Sequence, residues 1–80
     1  MAKKPAKRAN SFDKHIALRL RDKRNELGIS QTELADAVGI SFQQVQKYEN
    51  GTNRIAAGRL WQIANYFKVP VEYFFQGLRN

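Results

Sequence analysis

Apolar residues recur at helical spacing in the first part of the chain. Between Phe12 and Leu27 they stand at positions 12, 16, 20 and 27, which predicts one long helix with an apolar stripe. Arg24 occupies the place where the stripe would continue, and Gly28 ends the helix because glycine accepts the left-handed conformation that closes a helix. No segment of the sequence alternates as a strand does, so the pattern predicts an all-α fold.

Two short helices are predicted next, each with a start signal of its own. Ser30 followed by Glu33 is a capping box, and Gly39 ends the helix that it begins. Ser41 followed by Gln44 repeats the capping signature at once, which predicts a second short helix directly after the glycine turn. The apolar residues expected to pack these helices into the core are Leu34, Ala35, Val38, Ile40, Val45 and Tyr48. Two capped helices joined by a glycine turn are typical of a helix-turn-helix.

The rest of the chain is predicted to form one regular helix and one short element. The helix has an apolar face at i, i+3, i+4 and i+7, and Pro70 then breaks it. Residues 71–76 are predicted to form a short fifth helix or a turn. The apolar residues of these two elements are Leu60, Ile63, Ala64, Phe67, Val71, Phe74 and Phe75.

The net charge of the chain indicates the charge of its expected partner. The 80 residues carry 14 Lys or Arg and 7 Asp or Glu, a formal net charge of +7, which favours a polyanion. Four of the basic residues lie in the first ten positions, where there is no acid. We therefore divide the chain into a basic arm, residues 1–10, and a folded domain, residues 11–80. The arm either adds sequence-independent DNA affinity or is a disordered solubilising tail.

Reactive residues are too scarce for most catalytic sites. The chain has no cysteine, and His15 is its one histidine, so disulfides, a typical zinc site and a catalytic relay are not expected. No stretch approaches the roughly 18 apolar residues of a membrane span. We predict a soluble, cytoplasmic protein that is not an enzyme, needs no cofactor or metal, and has no evident small-molecule ligand.

The segment from Gln31 to Gly51 resembles the helix-turn-helix of the Cro and phage-repressor family, also called the xenobiotic response element family. The strings SQTELADAVGIS, YENG, LWQIANYFKVP and EYFF match that family in order and spacing over roughly residues 14–78. The resemblance implies a five-helix, lambda-repressor-like DNA-binding domain with its motif at about residues 31–50. It also implies a homodimeric transcription regulator on a pseudo-palindromic operator, by default a repressor, with activation left open.

In that family the third helix lies in the major groove, so its outward residues are expected to contact bases. Gln43 or Gln46 would pair with adenine, Lys47 would donate to guanine, and Phe42 would contact a thymine methyl group. The alternative is a solvated polar helix face, which leaves an exposed Phe42 unexplained.

Phosphate contacts are expected on both sides of this third helix. Gln31 resembles the family's phosphate-contacting glutamine at the start of the second helix. Ser41, Thr52, Asn53 and Arg54 flank the third helix and are further candidates, although polar loops need no ligand to exist.

Arg24 is expected to have a structural partner. An unpaired charge within an apolar stripe would cost several kcal/mol, so an acid should meet it, and Glu49 is the candidate. The family resemblance implies the same ion pair between the first and third helices, with the arginine near phosphate.

A second surface is expected towards the C-terminal part of the chain. Its tentative members, as a dimer interface, are Trp61, Tyr66, Pro70, Val71 and Phe75. The alternative is that these residues belong to the core. The same surface leaves a second function open, an antitoxin-like protein whose main role is to bind a partner protein.

Overall fold

The computed structural model describes residues 10–78 and shows four α-helices followed by a 3-10 helix. The elements are α1 (Ser11–Glu26), α2 (Gln31–Val38), α3 (Phe42–Glu49), α4 (Ala57–Phe67) and the 3-10 helix (Val71–Phe75). The predicted all-α class is confirmed. The element predicted as a short fifth helix or a turn is a 3-10 helix, since five residues leave room for little more than one tight turn. No helix of the described part is long and apolar enough to cross a membrane.

The first three helices begin at side-chain caps. Asn10, the last residue of the expected arm, forms a capping box with Asp13 at the start of α1. Ser30 and Glu33 form the box predicted for α2. At α3 the Ser41 hydroxyl accepts the N–H three residues on, which is one half of the predicted box. Each cap satisfies amides that would otherwise lack a partner, so short helices can begin at defined residues.

The turn between α2 and α3 depends on Gly39. Its φ is 77°, in the left-handed region, and its N–H closes α2 on the carbonyl of Ala35 at 2.9 Å. This conformation turns the chain within the three residues between the helices, so α3 starts almost at once and packs against α2. The two helices are thereby held as the predicted helix-turn-helix.

The core lies where all five elements meet. Its fully buried large side chains are Leu20, Leu34, Val45, Ile63 and Phe74, at least one from every element. The predicted stripe of α1 is correct at its centre and wrong at Phe12 and Leu27, which are both 45% exposed. A spacing of four residues drifts around a helix of 3.6 residues per turn, so Phe12 stands about 80° from Leu20. Ala17 is buried instead.

Basic residues of α1 hold the 3-10 helix in place. Arg19 donates from Nε to the carbonyl of Tyr73 at 3.0 Å and stacks over its ring, 3.9 Å from the centroid. Its Nη2 donates to the Gln76 side chain at 2.8 Å, and His15 Nε2 lies 2.7 Å from the Gln76 carbonyl. His15 therefore packs against the segment that follows α4.

Candidate nucleic-acid interface

The exposed face of α3 carries the four residues predicted to contact bases. Phe42 is 40% exposed, and Gln43, Gln46 and Lys47 are also exposed. The opposite face is buried and consists of Val45, Tyr48 and Glu49. Because the buried face is packed against α1 and α2, the outward residues are presented on a rigid helix.

Glu49 is the centre of a buried polar cluster that joins α1, α2 and α3. Its side chain is 4% exposed, and that of Arg24 is 11% exposed. Arg24 donates from Nε to Oε2 at 2.5 Å and from Nη2 to Oε1 at 3.0 Å. Arg24 Nη1 also donates to the carbonyl of Ile29 at 2.7 Å. Such two-pronged, charge-assisted bonds fix the angle between α1 and α3 as well as stabilise the fold.

Gln31 belongs to the same cluster. Its Nε2 donates to Glu49 Oε1 at 2.9 Å, so both carboxylate oxygens of Glu49 are occupied. The side chain predicted to contact phosphate is therefore anchored to the end of α3. Its second amide hydrogen is not needed for that bond, because a glutamine amide has two. No local pattern reveals this contact, since the partners are 18 residues apart.

The loop after α3 folds back over the end of that helix. The backbone N–H groups of Thr52 and Asn53 donate to the Lys47 carbonyl at 3.0 and 3.3 Å. Arg54, expected to contact phosphate, donates from Nε to Asp13 at 3.1 Å. The loop is thus fastened to the start of α1 by an ion pair that spans 41 residues and has no sequence signal.

Comparison with family models assigns the chain, since the HTH_3 helix-turn-helix model matches residues 20–74. The chain belongs to the HTH_3 family. This family confirms the resemblance found in the sequence. The uncharacterized HTH-type transcriptional regulator y4wC of Sinorhizobium fredii is 47% identical over 74 residues, which cover 92% of this chain and 52% of the relative. The chain thus spans about half the length of this curated relative.

Solved structures show the same fold. The restriction-modification controller protein C.AhdI of Aeromonas hydrophila superimposes with a TM-score of 0.78 and 23% identity, covering 82% of this chain and all of that one. SinR, a master regulator for biofilm formation solved in complex with DNA, superimposes with a TM-score of 0.69 and 24% identity. The superposition covers 76% of this chain and 98% of that solved chain.

The aromatic residues of this HTH_3 domain that were expected at a dimer interface are largely exposed. Trp61 is 60% exposed, and Tyr66 and Phe75 are close to 40%. Pro70 is exposed and Val71 is half-buried against the core. At 3.6 residues per turn, Trp61 and Tyr66 stand about 140° apart around α4, so they do not form a single patch on that helix.

Proposed function

We propose that this chain is a sequence-specific DNA-binding regulator of transcription that inserts α3 into the major groove. The observation that carries the proposal is the exposed face of α3, where Phe42, Gln43, Gln46 and Lys47 project from a helix whose other face is packed. The HTH-type transcriptional regulator y4wC, with its 47% identity, supports the same function. We place the protein in the cytoplasm as part of this proposal.

The four α3 side chains would read bases by their chemistry. The amides of Gln43 and Gln46 suit the donor and acceptor pair on adenine, and the ammonium of Lys47 suits the two acceptors on guanine. The Phe42 ring suits a thymine methyl group, which explains an apolar side chain on an otherwise polar face. Each good contact would discriminate against a wrong base by about 1–3 kcal/mol.

Residues around α3 would hold the DNA backbone. Gln31 stands at the start of α2 and Ser41 at the start of α3, where helix N-termini attract phosphate through unpaired amides. Thr52, Asn53 and Arg54 lie in the loop that follows α3. A phosphate on Arg54 would share that guanidinium with Asp13, so its contribution would be smaller than that of an unbonded arginine.

The regulator would act as a homodimer on an inverted repeat with half-sites about one helical turn apart, and it would repress by occluding polymerase. Its interface would draw on the exposed C-terminal aromatic surface. The candidate members remain Trp61, Tyr66, Pro70, Val71 and Phe75, and Trp61 is the most exposed of the three aromatic residues among them. Exposure of the same residues also suits the second candidate function, an antitoxin-like protein whose main role is to bind a partner protein.

The test is selection of bound sequences from a random pool of duplex DNA at near-physiological salt, with the mass of the complex recorded. We expect an enriched inverted repeat bound by two chains. Gln43→Ala should lose preference at one base pair while nonspecific affinity stays, and Asn65→Ala, an exposed polar change on α4, serves as its control. Binding without enrichment, which disappears as salt rises, would favour the antitoxin-like candidate.

A further inference from the structure

The basic side chains of residues 10–78 fall into two groups. One group donates to protein oxygens and holds the fold together: Arg19, Lys23, Arg24, Arg54 and Arg59. The other group has no hydrogen bond or ion pair within the described part of the chain: Lys14, Arg21, Lys47 and Lys68. Cations without a protein partner are available to an external anion.

Arg21, one of these four residues, lies in a polar cleft. It lines an open cleft of about 180 Å³ together with Gln31, Gln46, Glu49 and Asn50. The cleft therefore joins α1 to the start of α2 and to the C-terminal half of α3. It lies beside the surface that the proposed function places against DNA.

The carboxylate of Glu49 does not repel an anion that enters this cleft. Glu49 is buried, and Arg24 and Gln31 together occupy both of its oxygens. What the cleft offers an incoming group is the guanidinium of Arg21 and the amides of Gln46 and Asn50, whose residues are all exposed. These are donors of the kind that bind phosphate oxygens.

Lys14 lies on the same edge of α1 as Arg21. Seven residues make almost two full turns, so the two side chains project in nearly the same direction, about 10 Å apart along the helix. The stem of Lys14 packs against Gly51, directly after α3, where a Cβ atom would come within 2.9 Å of Lys14 Cγ. Both free cations of α1 therefore border the recognition helix.

We propose that Arg21 binds a DNA backbone phosphate in the cleft, and that Lys14 binds a second phosphate two turns away on α1. This inference rests on the proposed function and adds two exposed cations of α1 to the DNA interface. Neither residue was singled out in the sequence. No local pattern separates them from the bonded cations, because Arg24, which is paired with Glu49, also has no acidic residue three or four positions away.

The test measures the affinity of the full chain for duplex DNA against salt concentration. Variants are Arg21→Gln, Lys14→Gln and, as the matched control, Lys68→Gln, an unbonded lysine at the end of α4. Loss of one phosphate contact lowers the slope of log affinity against log salt by about 0.9 per half-site, which makes binding at 0.1 M salt roughly eightfold weaker when the affinity at 1 M salt is unchanged. We expect this from Arg21→Gln on the selected site and on unrelated duplex alike, with Arg21→Lys retaining the slope.

Three other results would overturn the inference. A slope for Arg21→Gln equal to that of Lys68→Gln would remove Arg21 from the interface while leaving DNA binding intact. A loss confined to the selected site would show base reading instead of phosphate binding. Wild-type protein that binds no duplex would overturn the proposed function as well. Melting curves of the Arg21 variants should match that of the wild type, since the Arg21 side chain makes no hydrogen bond or ion pair within residues 10–78.

Discussion

Glu49 joins three helices through one side chain, because its carboxylate on α3 accepts from Arg24 on α1 and from Gln31 on α2. Replacing it with alanine leaves Arg24 largely buried without its counter-charge. Breaking one side of a buried ion pair costs about 3–5 kcal/mol, so we expect Glu49→Ala to lower the free energy of unfolding by about that amount. Urea unfolding checks this. Glu26→Ala, which removes the exposed partner of Lys23, is the control and should change stability by less than about 1 kcal/mol. Equal effects of the two variants would contradict the buried cluster.

Gly51 combines two constraints that can be separated by mutation. Gly28 and Gly51 both have φ of 71°, but only Gly51 has a neighbour, Lys14, within reach of a new Cβ. Left-handed backbone alone costs an L-residue about 1–2 kcal/mol, so Gly28→Ala should destabilise by roughly that amount and Gly51→Ala by more.

The difference between these glycine variants should shrink when Lys14→Ala is combined with Gly51→Ala, because the clashing Cγ is then absent. Thermal unfolding of the wild type, of Gly28→Ala, of Gly51→Ala and of the double variant provides the measurement. If Gly51→Ala and Gly28→Ala have the same midpoint, the close contact between the loop and α1 is not present in solution.

At the scale of elements, α4 differs from the three helices before it. Its N-cap is Ala56, which has the extended backbone of a cap residue but no side chain to accept an amide hydrogen. We expect Ala56→Ser to raise the free energy of unfolding by about 0.5–1 kcal/mol, because a hydroxyl would satisfy one unpaired N–H.

The reference for this change is Ser41→Ala, which removes an existing cap hydrogen bond from α3 and should destabilise by about 1 kcal/mol. Denaturant titration checks that the free energy of unfolding rises in Ala56→Ser and falls in Ser41→Ala. A neutral or destabilising Ala56→Ser would show that the start of α4 is held by tertiary packing alone.

For the molecule as a whole, charge divides unevenly between the arm and the domain. Residues 1–9 lie outside the described part, and they contain four basic residues and no acid. Removing residues 1–9 should weaken binding to all duplex sequences by the same factor and reduce the dependence on salt. The truncated protein keeps Asn10 as its first natural residue, because Asn10 caps α1 and its loss would also destabilise the domain.

The measurement is the same salt titration, with the unfolding midpoint of the truncated protein as its control. An unchanged salt slope would make the arm a solubilising tail. A change in the preferred operator would instead place the arm in a groove, where it reads DNA shape.

Much of this fold was readable from local sequence. The capping box at Ser30, the hydroxyl cap at Ser41 and the turn at Gly39 stand where they were predicted, because caps and turns depend on residues within four positions of one another. The inward and outward faces of α3 followed from helical periodicity in the same way.

Partners distant in the chain were decided by tertiary packing. The bonds of Gln31 to Glu49 and of Arg54 to Asp13 join residues 18 and 41 positions apart. Each bond uses a donor group of a side chain that was predicted to contact phosphate. Packing also exposed Phe12 and left Arg21 without a partner beside α3. Periodicity states which side of a helix is apolar, but which neighbour covers that side, and which charges it neutralises, depends on how the helices cross.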